Sequence, residues 1–244
     1  MNPSLQCVPT HTSSPCSGRD MMSDVNIADN YRRLRESIPD EVTIVGATKT
    51  RSAGEISEAI DAGLEVVGEN YVQEAQNKYA ELSDAADGAE WHMIGHLQRN
   101  KINKALPLFD LIQTVDSHRL ARGISKRADS PVPVFIQVNI AGEESKYGIP
   151  VDEVFALAEE ACELPGLHLK GLMAMEPYFE DPERARPYFR RMRKIFEDMR
   201  DDKRLATHFD TLSMGMTNSY RVAIDEGATM VRVGTAIFGP RERR

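Results

Sequence analysis

Residues 43–50 read TIVGATKT. Thr43, Ile44 and Val45 open a β-branched run, Gly46 and Ala47 narrow it, and Lys49 stands just beyond it. β-Branched residues suit a packed, pleated strand, so 43–47 reads as a buried strand with a lysine at its C-terminal end. Lysine is ordinarily a surface residue. What that strand end faces therefore decides both the fold and the chemistry.

Seven further runs carry the same strand signature: 64–67 (LEVV), 91–94 (WHMI), 110–115 (DLIQTV), 133–139 (PVFIQVN), 168–173 (HLKGLM), 209–213 (FDTLS) and 230–234 (MVRVG). Most are near-continuous apolar stretches, as expected of strands covered on both faces. Helical periodicity fills the intervals. SAGEISEAIDAG starts at a capping Ser52 and stops at Gly63. NYVQEAQNKYAELSDA, SHRLARGISKRA, VDEVFALAEEACEL and TNSYRVAIDEG follow, and NIADNYRRLRESI precedes the first strand. The longest stretch, DPERARPYFRRMRKIFEDMRDDKR, is entered through Asp181 and Pro182. Eight strands alternating with helices, with no Pro/Gly-rich linker between halves, favour a single α/β (β/α)8 TIM barrel over an open doubly wound sheet.

In such a barrel the chemistry sits at the C-terminal strand ends. Those ends carry Lys49, then Glu69 and Asn70, then His96, Gln98, Asn100 and Lys101, then Asp116, Asn139 and Lys146. The last two strands lead into SMGMTNS and GTAIFG, which contain Ser213, Gly215, Thr217, Gly234 and Thr235, with Arg232 inside strand eight. Small residues let backbone N–H groups approach an anion, a helix start near Thr217 would add its positive end, and these two loops are a frequent phosphate site in barrels. A lysine desolvated opposite a phosphate cradle is easier to deprotonate and becomes nucleophilic. That pairing suggests pyridoxal 5'-phosphate held as a Schiff base. A snorkelling lysine or a simple phosphate-pairing cation fits the spacing too.

The motifs GATKT, GENYVQEAQNK, WHMIGHLQRNK, QVNIAGEESKYG, GLMAMEPY, LSMGMT and MVRVGTAIFG occur in this order. Together, over about residues 25 to 240, they resemble the pyridoxal phosphate homeostasis protein family, also called proline synthetase co-transcribed homologues. The resemblance implies a barrel like the N-terminal domain of alanine racemase, without that enzyme's C-terminal β domain. It implies pyridoxal 5'-phosphate on Lys49 as a Schiff base, Asn70 beside the ring, Arg232 facing the pyridine nitrogen, and the phosphate on Ser213, Gly215, Gly234 and Thr235. Thr217 joins that set because it keeps a hydroxyl where many relatives have S-x-D; here Thr217, Asn218 and Ser219 follow SMGM. Met173 is included as packing at the barrel mouth. GATKT replaces the commoner AVSKT. An arginine at the ring nitrogen stays protonated and disfavours a second positive charge there, which makes transaminase-like chemistry a poor expectation.

The resemblance implies a carrier rather than an enzyme: intracellular homeostasis and delivery of pyridoxal 5'-phosphate, with PLP-requiring apo-enzymes as recipients and a monomeric, cytoplasmic protein. The chain ends soon after strand eight, which leaves no residues for a racemase β domain with its tyrosine base. The alternative is a single-domain amino-acid racemase, with Tyr71, His96 and Lys146 as candidates for the second acid/base group. Lys146 is also a candidate modulator of cofactor entry or release.

The bulk numbers agree with a soluble protein. The chain has 244 residues, 28% charged, with a net charge of -8, a balance that argues against general nucleic-acid or anionic-membrane binding. The locally basic RARPYFRRMRKIFEDMRDDKR carries Tyr188, Phe189, Met192, Ile195 and Phe196 as an apolar stripe and reads as a solvated outer helix rather than a nucleic-acid site. No apolar run approaches the roughly 20 residues of a membrane span. Cys7, Cys16 and Cys162 are odd in number and lack C-x-x-C spacing, as in a reduced compartment. His92 and His96 straddle a strand end without acidic or cysteine partners in sequence, so no metal is assigned to them. Residues 1–23 are rich in Ser, Pro and Thr and lack the regions of a signal peptide. They read as a disordered tail, with Met21 or Met22 as an alternative start that would make the tail a gene-model extension, and 24–244 as the barrel.

Overall fold

In the computed structural model, which describes Met1 and residues 25–143, 146–202 and 208–240, the run at 43 forms strand β1, Thr43–Ala47. It pairs on one side with β2 (Val66–Glu69) and on the other with β8 (Met230–Val233). Between these lie β3 (Glu90–Met93), β4 (Leu111–Val115), β5 (Val132–Val138), β6 (Leu167–Ala174) and β7 (Thr211–Ser213). All neighbours are parallel and follow chain order until the sheet closes on itself. This is the (β/α)8 barrel, and closure excludes the open sheet. Apart from Met1, the expected tail at 1–23 lies outside the described residues.

Parallel neighbours need crossovers, and helices supply them: α1 (Ile27–Glu36) before β1, then α2 (Ala53–Asp61), α3 (Val72–Leu82), α4 (Ile102–Ala105), α5 (His118–Ser125), α6 (Val154–Glu163), α7 (Arg186–Arg200), α8 (Tyr220–Asp225) and α9 (Thr235–Phe238). The start of α2 shows the local logic: Ser52 and Glu55 form a reciprocal capping box, satisfying two orphan N–H groups. Its end is marked by Gly63 at φ 105°, a conformation glycine adopts without penalty. Helices α4 and α9 were not foreseen. Each has four residues, too few to show a helical period.

Alternation along the strands sorts the barrel into two layers. Val45, Val66, Ile94, Leu111, Phe135, Met173 and Met230 pack inside, with Ala47 against them. Ile44, Val67, Ile112, Val134, Leu172, Leu212 and Val231 belong to the larger core shared with the helices. The same parity carries one step past β1. Parity assigns Lys49 to the axis side with Val45 and Ala47, and Thr48 to the helix side, where it meets Glu69 and Lys78.

Helix α7 is the solvated outer helix expected. Phe189, Met192, Ile195, Phe196 and Met199 are buried, and Tyr188 is half-buried against the core. Four of its six basic residues are matched by acids: Arg186 by Glu183, Asp225 and Glu226, Arg190 by Glu226, Arg193 by Glu197, and Lys194 by Asp198. Among the described residues no helix is long and apolar enough to cross a membrane.

Candidate functional site

Lys49 sits at the tip of a tight turn. The Arg51 N–H donates to the Thr48 carbonyl at 2.9 Å, and Thr50, third in the turn, has φ 67°. That region favours glycine. Lys49 is half-buried. Its Nζ lies 5.1 Å from the centroid of the exposed Tyr71 ring and has no hydrogen bond or ion pair among the described residues. A primary amine left without a carboxylate partner, at the mouth of a barrel, is available for chemistry.

Behind the turn lies a buried ion cluster. Lys78 of α3 donates to Glu69 Oε1 at 2.6 Å, to the Thr48 carbonyl at 2.7 Å and to Glu74 Oε1 at 2.9 Å. Glu69, expected at the mouth, points instead into the layer between barrel and helices. There its Oε1 also accepts from the Thr48 hydroxyl, and its Oε2 is buried without a partner among the described residues. Burial pushes the Glu69 carboxyl up, opposed by hydrogen bonds from Lys78 and Thr48. Lys78 and Glu74 were not singled out from the sequence. The available signal was an i,i+4 acid–base pair on a helix directly after a strand ending in a glutamate.

Arg232 rises from β8 inside the barrel and is 5% exposed. It donates from Nη2 to the Ala174 carbonyl and from Nη1 to Ser213 Oγ, both at 2.7 Å. Burial pushes its pKa down to about 10, with the Glu176 carboxylate pulling back, so it is cationic at neutral pH. Ser213 in turn donates to Gln113 Oε1 at 2.7 Å, Gln113 Nε2 donates to His92 Nδ1 at 3.0 Å, and His92 Nε2 reaches Glu90 at 3.3 Å. The Ser213 hydroxyl, expected at a phosphate, is therefore committed to this chain of partners across the interior. The polar residues Gln113 and His92 are buried and satisfied, as interior polar groups must be.

Glu90 ends that chain at the opposite rim, where its side chain is 69% exposed. The hydrogen bond with His92 holds its carboxyl below the usual range. A depressed folded pKa adds stability above the unfolded value that is lost as pH falls through the folded one. Glu90→Gln should therefore lower Tm at pH 7 by the equivalent of at most about 1 kcal/mol, given its exposure. The difference should close below about pH 4, as thermal unfolding across pH would show.

The loops after β7 and β8 converge beside β1. A Cβ on Gly234 would lie 3.2 Å from the Ala47 carbonyl, and the Gly234 N–H reaches Thr217 Oγ1 at 3.3 Å. Gly215 has φ 92°, and a Cβ there would lie 2.5 Å from that of Ala223. The N–H groups of Thr217, Asn218, Thr235 and Ala236 have no acceptor among the described residues. Converging unpaired amides form an anion-binding concavity. The expected helix start near Thr217 is displaced: α8 begins at Tyr220, so Thr217 and Asn218 offer loop amides, whereas Thr235 and Ala236 offer the first two amides of α9. Ser219 accepts from the Met216 N–H at 3.0 Å and donates to buried Glu176. Ser219 thus holds a buried carboxylate that follows β6.

The remaining candidates lie around the rim. Asn70 follows β2, half-buried, so close to Gly95 that a Cβ there would lie 2.2 Å from the Asn70 carbonyl oxygen. Met173 is fully buried inside the barrel. His96 stacks on Tyr147 at 3.9 Å and pairs with Asp116 at 3.2 Å, whereas His92 is engaged within the interior. Lys146 pairs with Glu143 of its own loop at 3.1 Å.

A closed parallel barrel with an inward lysine after β1 and an amide concavity after β7 and β8 defines an alanine-racemase-type barrel. Residues 24–242 match the family model for the alanine racemase N-terminal domain. The chain is 42% identical over 202 residues to a pyridoxal phosphate homeostasis protein of Aquifex aeolicus, covering 82% of this chain and 87% of the relative. It is 39% identical over 231 residues to the protein of that name from Escherichia coli K12, covering 89% and 97%. The structure of PipY from Synechococcus elongatus PCC7942 with PLP bound superposes with a TM-score of 0.80 at 33% identity, covering 87% of this chain and all of that one. The chain belongs to the pyridoxal phosphate homeostasis protein family.

Proposed function

We propose that this protein binds pyridoxal 5'-phosphate through Lys49 and serves its intracellular homeostasis, passing it to PLP-requiring apo-enzymes from a cytoplasmic monomer. The observation that carries this is the unpaired Lys49 amine at the same barrel end as the amides of Thr217, Asn218, Thr235 and Ala236. That donor set suits a group bearing both an aldehyde and a phosphate. When bound, the cofactor supplies an aldehyde that a primary amine captures reversibly with loss of water. Lys49 would be the capturing amine, since it has no hydrogen bond or ion pair among the described residues. The amides of Thr217, Asn218, Thr235 and Ala236 would hold the phosphate, with Gly215 and Gly234 keeping the cradle open and Thr217 adding its hydroxyl. Asn70 lines the ring, and Met173 supports the floor of the mouth. Arg232, cationic at neutral pH, would disfavour a second positive charge on a ring nitrogen held beside it. That disfavours transaminase-like chemistry and leaves racemase-like chemistry open, so Arg232 does not by itself separate carrier from racemase. Lys146, half-exposed on the rim loop, is placed to modulate entry.

The relatives' names describe homeostasis rather than an enzyme, which supports the carrier reading over the racemase. The test is to load the protein, present a PLP-requiring apo-enzyme, and in parallel incubate with an amino-acid panel in deuterated water. Recovered apo-enzyme activity without α-proton exchange is the expected result. Exchange at an appreciable rate would overturn it in favour of a racemase.

A further inference from the structure

We propose that Lys78, Glu74 and Glu69 act as a clamp that presents Lys49, with Glu74 the positioning residue for the strained turn. The proposal rests on Lys49 being the attachment point. The residue on each side of Lys49 is tied to the cluster, while Lys49 itself is not. Before it, Thr48 gives its carbonyl to Lys78 at 2.7 Å and its hydroxyl to Glu69. After it, the Thr50 N–H donates to Glu74 Oε1 at 2.7 Å. The same Glu74 oxygen accepts from Lys78 at 2.9 Å, so one ion pair closes both ends of the turn.

The strain gives the clamp a purpose beyond stability. Thr50 holds φ 67°, which a β-branched residue adopts only when its surroundings over-determine it. Strained backbone concentrates where a side chain must be aimed. Here the aimed side chain is the one inward-facing residue between the two anchors. The cluster lies in the wall behind β1, outside the mouth, so it acts on Lys49 through backbone geometry and touches no ligand. Fixing a reacting amine accounts for large rate factors, and small misplacements far from the chemistry can cost on the order of a hundredfold.

The experiment measures two things in wild type, Glu74→Ala, Glu74→Gln and Thr50→Gly. One is hydrogen exchange of the Thr50 amide without cofactor; the other is the rate of borohydride-fixable capture of pyridoxal 5'-phosphate. Glu74→Ala should lose Thr50 amide protection and slow capture by about tenfold or more. Glu74→Gln keeps an acceptor for the Thr50 N–H and should recover most of the rate. Thr50→Gly should raise Tm while slowing capture, two opposite shifts that a purely structural role would not produce. Capture at the wild-type rate in Glu74→Ala, or Glu74→Gln as slow as Glu74→Ala, would overturn the clamp. Wild type that captures nothing at Lys49 would instead refute the attachment reading. The clamp would then be judged on exchange alone, and an unprotected Thr50 amide would overturn it.

Discussion

Lys49→Ala is expected to fold as the wild type does and to lose covalent capture of pyridoxal 5'-phosphate. The two halves of that expectation have separate causes. Lys49 makes no hydrogen bond or ion pair among the described residues, only a cation–π approach to exposed Tyr71, so its removal should change stability by no more than about 0.5 kcal/mol. Capture, by contrast, depends on its amine. What remains is the proposed phosphate cradle at Thr217, Asn218, Thr235 and Ala236, which would bind without a covalent bond. Affinity should fall by about a hundredfold or more, equivalent to about 2.7 kcal/mol, and the absorbance change that accompanies loading should disappear. Titration with the cofactor under both thermal and spectroscopic observation checks this. A variant that loads as the wild type does would remove Lys49 from the chemistry.

Lys78→Met should have the largest effect on the fold. Lys78 is 6% exposed and Glu69 fully buried. Taking away one member of a buried pair leaves the other uncompensated, at a cost of about 3–5 kcal/mol. At this chain length that corresponds to a fall in Tm of about 6–20 °C. Among the described residues, the Thr48 hydroxyl is the donor that Glu69 keeps once Lys78 is gone. The double variant Lys78→Met/Glu69→Gln should therefore recover a good part of the loss, since it removes the stranded charge as well. Thermal unfolding of the single and double variants decides this. Additive losses would mean that the pair is not coupled.

The barrel was legible because buried parallel strands write themselves as short apolar runs, and all eight runs became strands within a few residues of their expected bounds. Lys49 stood out because it directly follows a buried strand, at the barrel end where the small-residue loops after β7 and β8 also lie. Helix α9 was not, because GTAIFG carries the small residues of a phosphate loop as well as one helical turn. Lys78 was hidden among the polar residues of NYVQEAQNKYAELSDA. Periodicity places it on a face but says nothing of the Glu69 that meets it from β2. Ser213 was legible as a residue of the mouth but not in its partners, since Gln113 and His92 come from other strands and only barrel closure brings them into line. Ser219 and Glu176 are a similar case. The loss of an acid in one loop was visible; the carboxylate that Ser219 holds, 43 residues earlier, required the fold.

One measurement bears most directly on the proposed attachment. The wild-type protein is loaded with pyridoxal 5'-phosphate, reduced with borohydride, digested and mapped by mass spectrometry. The expected result is a single pyridoxyl modification, on the peptide containing Lys49. Modification confined to another lysine, such as Lys146 on the rim, or no modification at all, would contradict it.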